Sequence, residues 1–303
     1  EARPAISTFI KVNPFGAVVS YDICASLIRV RHQRTYYDVN LSADEDADIV
    51  HLRRIAEAFR EFRLDQGAVQ ITLPDVNVWI DENGAVNLSR LNRESPARML
   101  VSELMIMANW IMARFLRDNG LAAVFRSQPE PKERLYKRNE GNLFQNWMQR
   151  RRLNRFVLDT APARHSGLGL DAYITATSPI RKYFDLITQR QLRAALGLET
   201  PYTVEEIDSL LQLLEQPMGT VSRIQHYRHH YWLLRYLEEH VGEQTEAIVL
   251  QRRRNGYQVL LTDYMVECDM PVSAGMTLKP EQVIEVTIQN VNARKGLLSV
   301  FTV

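Results

Sequence analysis

Apolar and polar residues alternate from Ile6 to Val12, pause at Asn13-Pro14-Phe15-Gly16, and alternate again from Val18 to Val30. Period-two patterning on both sides of a turn predicts a β-hairpin. The period then lengthens. Ile49, Leu52, Ile55, Ala56, Phe59 and Phe62 recur at helical spacing, with Ser42 as the expected N-cap, acids in the first turn and Gly67 as the stop. Val69 to Leu73, Val76 to Ile80 and Val86 to Leu88 read as short strands, the last two joined by the turn Asp81-Glu82-Asn83-Gly84. Ser95-Pro96 opens a long helix that stops at Asn119-Gly120 and turns Met99, Leu100, Leu104, Met107, Ile111 and Phe115 toward a core.

After the breaker Gln128-Pro129-Glu130-Pro131, basic helical sequence continues to about Arg155, and Asp159 to Leu170 has loop composition. Further helices are expected from Pro179 to Leu196, Val204 to Leu214 and Val221 to His240. Beyond a linker at Gly242 to Thr245 the texture changes to five short β-like runs: 246–250, 257–262, 266–269, 283–290 and 297–302. Five strands in so short a segment suit a small oligonucleotide-binding barrel. The expectation is an α+β chain in two domains, 1–242 and 246–303.

Composition adds little until charge is located. Apolar residues are 46 % and charged residues 24 %, ordinary for a globular protein, and the formal net charge of +1 does not by itself suggest nucleic acid. That sum conceals segregation. Between Arg126 and Arg164, ten basic side chains face Glu130, Glu133, Glu140 and Asp159, a local excess near +6, and Arg252-Arg253-Arg254 forms a second cluster. Such banking is the footprint of a polyanion channel, or else a solvated basic surface. Cys24 and Cys268 have neither metal nor disulfide spacing, so buried thiols in a reducing, cytoplasmic setting are expected. The apolar run Leu104 to Trp110 is too short to span a bilayer, no secretory leader opens the chain, and no membrane partner is expected.

The stretch with most chemical content runs from His165 to Tyr183: a glycine loop, Gly167-Leu168-Gly169, leading to Thr177-Ser178-Pro179-Ile180-Arg181-Lys182. Thr177 or Ser178 could cap a helix whose free N–H groups and positive dipole end would seat an anion. Arg181 and Lys182 would oppose that dipole, which makes sense if a phosphate sits among them; the plain alternative is a helix start with basic decoration.

These residues carry a resemblance. "GLGLDAY…TSPIRKYFDL" resembles the signature of the ribonuclease II/ribonuclease R (RNB) family of processive 3′→5′ exoribonucleases. In order along the chain, "EARPAISTFIKVNPFGAVVSYDICASLIRV", "RTYYDVN", "SPARMLVSELMIMANW" and "YWLLRYLE" resemble further family segments, and the last residues resemble its S1-type RNA-binding domain. The resemblance implies the RNB catalytic fold, a mixed sheet with long helices, followed by an S1-type barrel. It also implies release of nucleoside 5′-monophosphates from single-stranded RNA with Mg²⁺, which positions and activates water. Arg181 would contact the phosphate at the cleavage point as a catalytic residue, Thr177, Ser178 and Lys182 would line it, Tyr37 would lie near the terminal nucleotides, and Glu103 would hydrogen-bond the terminal sugar. Without the resemblance Tyr37 reads as a turn aromatic and Glu103 as a salt-bridge partner on a helix surface.

Two departures follow. The family's Asp-rich metal motif precedes the first strand pair, so the ligands for Mg²⁺ are expected upstream of Glu1, in a segment that could remain associated. Asp44-Glu45-Asp46-Ala47-Asp48 reads instead as compensation of a helix dipole. His226 stands six residues before Trp232, where the family often has Glu. With His229 and His230 it shares a helix face, open to a metal, RNA-contacting or solvated reading. Tyr36, Tyr37, Phe144, Trp147 and Tyr173 are candidates for base stacking, Tyr37 foremost. The expected protein is a monomeric exoribonuclease whose present residues alone would bind RNA and cleave it weakly; a catalytically silent RNA-binding module is the competing reading.

Overall fold

The computed structural model describes residues 1–42, 44–138, 140–272 and 276–302, so Val303 of the expected barrel domain lies outside the described residues. The chain forms two compact units. The first comprises Glu1–Thr72, Glu94–Gly141 and Met148–Leu214; the second comprises Leu73–Arg93, Asn142–Trp147 and Glu215–Val303.

In the first unit, β1 (Arg3–Val12) and β2 (Val18–Ile28) form the expected antiparallel hairpin. Asn13 Oδ1 accepts from the N–H groups of Phe15 and Ala17, both at 2.9 Å, and closes the turn. Ile6, Ile10, Tyr21 and Ile23 set one face of the hairpin on the core. The next segment folds as a short helix, α1 (Tyr36–Leu41), closed by a capping box between Thr35 and Asp38. Ser42 ends this helix; the N-cap of α2 (Ala47–Asp65) is Asp46, whose carboxylate accepts from Asp48 N and Ile49 N. The expected Ser42 cap is therefore corrected. Both residues are good caps, and the acid four positions on lies nearer the first apolar turn.

The long helix α3 (Pro96–Asp118) carries the core: Met107, Trp110, Ile111 and Leu116 pack with Phe59, Phe125, Leu170 and Ile174. By length and composition it could cross a membrane, yet its buried face also holds Glu103 and Asn109 in hydrogen bonds to neighbouring elements. Burial of a polar side chain is tolerated where such partners exist. A three-residue strand, β5 (Phe125–Ser127), pairs with β6 (Val157–Asp159), between which runs α4 (Leu143–Arg152). The helix expected from Pro179 starts later, as α5 (Tyr183–Ala195). The two helices expected between Val204 and His240 are one, α6 (Val204–Glu238), which continues through Pro217. Its start is anchored by Ile207 in the first unit and its end by Leu233, Leu234 and Leu237 in the second, against a proline cost of about 3 kcal/mol at one turn.

The second unit contains the hairpin of β3 (Asp75–Ile80) and β4 (Val86–Leu91); Val69 to Leu73, expected as a strand, forms none. It ends in β7 (Gln244–Arg253), β8 (Gly256–Leu261), β9 (Val266–Pro271), β10 (Val283–Asn292) and β11 (Leu297–Thr302), close to the five runs read from the sequence. They close into a barrel of order β10-β11-β9-β8-β7, antiparallel except for the parallel β9–β11 pair. Val249, Val259, Val286, Ile288 and Val300 fill it. Gly256 is required where β8 passes β9: a Cβ there would lie 2.2 Å from the Met270 carbonyl oxygen. The α+β class and the five-stranded OB/S1-type barrel are thus both present. Outside the barrel, among the described residues, the strands form three separate two-stranded ladders.

Candidate nucleic-acid interface

The loop bearing Arg181 is built from behind. Asn109, buried on α3, accepts from Ala176 N (3.1 Å) and donates to the Tyr173 hydroxyl (3.2 Å). Gln189 of α5 donates to the Ala176 carbonyl (2.7 Å). Asp185, in the first turn of α5 and buried, accepts from Thr175 Oγ1 (2.6 Å) and from Ser178 N (2.9 Å). An acid at that position also suits the helix dipole. Further back, Trp110 Nε1 and Arg117 Nη1 hold Asp171 at 2.7 and 2.8 Å. Burial would raise the Asp171 pKa, but the bonds from Arg117 and Trp110 prevail and hold it below the usual carboxylate range.

This bracket leaves Thr177, Arg181 and Lys182 exposed, Ser178 half-buried and Ile180 at 98 % exposure. Thr177 and Ser178 are not the cap of α5, and Arg181 and Lys182 precede its first turn. Lys182 occupies the N-cap position without a side-chain bond, while the Ser178 carbonyl accepts from Arg181 N and Lys182 N in a turn. Ser178 N is taken up by Asp185, and the helix begins only at Tyr183. Arg181 makes no side-chain hydrogen bond or ion pair among the described residues. Its guanidinium is a fork with open donors, suited to a phosphate or carboxylate.

The glycine loop is a packing device. Gly169 adopts φ +70°, and a Cβ there would lie 2.4 Å from the Arg63 carbonyl oxygen of α2. His165, buried beside it, has its pKa pulled down to about 4, first by burial and then by the Arg126 charge; its Nδ1 has no hydrogen-bond partner among the described residues.

Glu103 is 2 % exposed. It accepts from Arg63 Nε (2.9 Å), Arg63 Nη2 and Arg60 Nε (3.0 Å), while Arg63 Nη1 reaches the Leu168 carbonyl of the glycine loop (3.2 Å). In this structure the carboxylate is engaged in a buried ion pair that ties α2, α3 and the loop together. Tyr37 is 70 % exposed on α1. Its neighbour Tyr36 lies beneath the Arg98 guanidinium, 4.5 Å from the ring centroid, and Asn40 Oδ1 accepts from Ala97 N at 2.9 Å. Helix α3 is the common strut: α1 is fixed near Ala97 and the Arg181 loop near Asn109, about 18 Å apart at the helical rise of 1.5 Å per residue. No hydrogen bond or ion pair joins Tyr37, Glu103 and Arg181 to one another among the described residues.

The basic excess read from the sequence is reduced by pairing. Arg138 engages Glu61 and Asp65 of α2, Arg134 and Arg164 engage Glu130, and Arg152 engages Glu133. Arg155 has no ion-pair partner among the described residues. On the barrel, Arg253 pairs with Asp269 at 3.5 Å and, with Arg254, Asn255 and Tyr257, lines a recess of about 420 Å³. Of the stacking candidates, Tyr173 is buried, Trp147 donates from Nε1 to Glu267 (2.6 Å), and Phe144 is half-buried. His226 and His230 rings stack 6.4 Å apart, and the His230 pKa is lowered by burial and then by His226. Among the described residues no three His, Cys, Asp or Glu side chains gather into a metal-binding group. The divalent ion implied by the resemblance therefore finds no ligand set among the described residues.

Comparison with known proteins accords with this architecture. An uncharacterized ribonuclease of Synechocystis is 29 % identical over 287 residues, covering 89 % of this chain and 43 % of the relative. The chloroplastic/mitochondrial ribonuclease II of Arabidopsis thaliana is 25 % identical over 309 residues, covering 97 % of this chain and 38 % of that protein. The chain thus spans less than half the length of these relatives. Mycoplasma genitalium RNase R, solved in complex with ribose-methylated single-stranded RNA, superposes with a TM-score of 0.81 at 17 % identity, over all of this chain and 58 % of its own. The family model for the RNB domain matches residues 1–197, well over half of the sequence, and the chain belongs to the RNB domain family.

Proposed function

We propose that this chain is the RNA-gripping part of a processive 3′→5′ exoribonuclease that hydrolyses single-stranded RNA to nucleoside 5′-monophosphates. The observation that supports it most is the Arg181 loop: an exposed, unpaired guanidinium on a turn clamped by Asn109, Asp185 and Gln189. A loop held this way presents the guanidinium fork with its donors open, and such a fork can bind a phosphate oxyanion and stabilise charge that develops on it. Lys182 adds a point charge, and Thr177 and Ser178 add hydroxyls that can donate to phosphate oxygens. Tyr37, exposed on α1, would stack on a base. In this reading Glu103 acts through its ion pair, by fixing α2 and the glycine loop, and a sugar contact would require it to release Arg60. The barrel 246–303 follows the catalytic region 1–242 as a second RNA-binding surface centred on Arg252, Arg253 and Arg254.

The Mg²⁺ of the resemblance is assigned to ligands outside the described residues. Weak hydrolysis by this chain alone follows, with Arg181 serving phosphate contact. A monomer in a reducing, cytoplasmic setting completes the reading, in keeping with two unpaired cysteines. The test incubates the chain with labelled single-stranded RNA and Mg²⁺. Saturable RNA binding with little mononucleotide release is expected. Robust release would overturn the assignment of the metal ligands, and no binding would overturn the function.

A further inference from the structure

Phe156 stands immediately before β6, at 47 % exposure. The Arg126 guanidinium lies over its ring, 3.8 Å from the centroid. One face of the ring is therefore covered by a cation, and the exposed area belongs to the rim and the opposite face. Arg126 has no carboxylate within ion-pair distance among the described residues, and its Nε is buried without a hydrogen-bond partner. Arg155, next to Phe156, is exposed and likewise without an ion-pair partner. The site is thus an open aromatic face backed by one guanidinium without an ion-pair partner among the described residues, with a second exposed guanidinium adjacent in sequence.

Its position matters as much as its chemistry. Arg126 lies opposite Leu158 in the β5–β6 ladder, and its own N–H donates to the Tyr173 carbonyl at 2.8 Å. Phe125 forms a bridge to Ile174. Arg126 is therefore fixed to the segment that leads, four residues beyond Ile174, into Ser178 and the Arg181 loop. Both features belong to the first unit.

We propose that Phe156, backed by Arg126, is a stacking platform for one base of the single-stranded RNA whose backbone Arg181 contacts. A π-face accepts any base, and the cation behind it strengthens the stack while Arg155 meets the adjoining phosphate. Burial lowers the Arg126 pKa, partly offset by Tyr173 and Asp185, so an approaching polyanion relieves a cost the free protein carries. Charge selects nucleic acid here over an apolar protein segment, which would bury Arg126 and Arg155 without partners. The proposal rests on the RNA-binding reading above and adds to it a residue and a base contact.

The test measures binding of a fluorescein-labelled twelve-nucleotide single-stranded RNA to the whole chain by anisotropy at several salt concentrations. Phe156→Leu keeps apolar bulk and removes the π-face; it should weaken binding at least fivefold, in line with about 1–3 kcal/mol per stacked base. The salt slope should not change, because no phosphate contact is lost. Phe156→Trp should bind within twofold of the parent. A Phe156→Leu chain that binds like the parent while Arg181→Ala binds more weakly overturns the platform and leaves the RNA-binding reading standing. A parent chain that fails to bind RNA overturns both.

Discussion

Glu103→Gln is the most informative single change in the interior. The carboxylate accepts two N–H bonds from Arg63 and one from Arg60, at 2 % exposure, and Arg63 itself is 4 % exposed. Arg60 retains Glu94 at 2.6 Å, so it loses little. Arg63 keeps the Leu168 carbonyl and one amide oxygen but meets an NH₂ group where the second carboxylate oxygen stood, and it becomes a buried cation without an anion. Breaking a buried pair from one side costs about 3–5 kcal/mol, because the desolvation of the remaining charge is no longer offset. In a body of roughly 150–250 residues that lowers Tm by roughly 6–20 °C. The assay is thermal unfolding followed by circular dichroism, with urea titration as a check. Replacing both partners, Glu103→Leu with Arg63→Met, should recover at least half of the loss, since neither charge is then stranded. The reasoning is refuted if Glu103→Gln unfolds within 1 °C of the parent while its RNA affinity falls tenfold. Glu103 would then be a ligand contact, and the ion pair would be dispensable.

Other expectations follow from the same packing. His165 folds with a pKa of about 4 against an ordinary 6.5, so the unfolded chain binds the extra proton first. Its contribution is complete above pH 6.5 and is lost as pH falls toward 4, about 3 kcal/mol in all; the pH–stability profile of His165→Gln should be flatter than the parent's across that window. Gly169→Ala combines a positive φ with a Cβ 2.4 Å from the Arg63 carbonyl oxygen and should destabilise by about 3 kcal/mol or more, measured by urea unfolding. Burial pushes the Cys268 thiol up to about 12, so a thiol reagent at pH 8 should modify Cys24 in the native chain and reach Cys268 only after unfolding.

Much of this architecture was legible in the residues. The period change at Gly242 marked the barrel, and the spacing of Met107, Ile111 and Phe115 marked α3, because both signals are local. Misread positions had a local rule outvoted by a distant partner. Asp185 reaches back to Ser178 N and α5 begins only at Tyr183, although Ser178-Pro179 is a good helix opening. Anchors at its two ends carry α6 through Pro217. The basic run from Arg126 to Arg164 is partly neutralised by Glu61 and Asp65, far away in sequence. Phe156 gave no signal at all: its significance comes from Arg126 lying across a strand pair. Glu103 read as a surface salt bridge, and the pair exists, but its burial depends on Arg63 in another helix.

The central claim is that Arg181 grips an RNA phosphate from a loop held rigid behind it. The measurement that tests it is the dependence of single-stranded RNA affinity on salt for the parent chain and for Arg181→Ala. Each phosphate contact contributes a slope of about −0.7 in log K against log salt for a single strand. A steep negative slope is expected for the parent and one shallower by about 0.7 for Arg181→Ala, with weaker binding at every salt concentration. Equal slopes and equal affinities for the two proteins would contradict it.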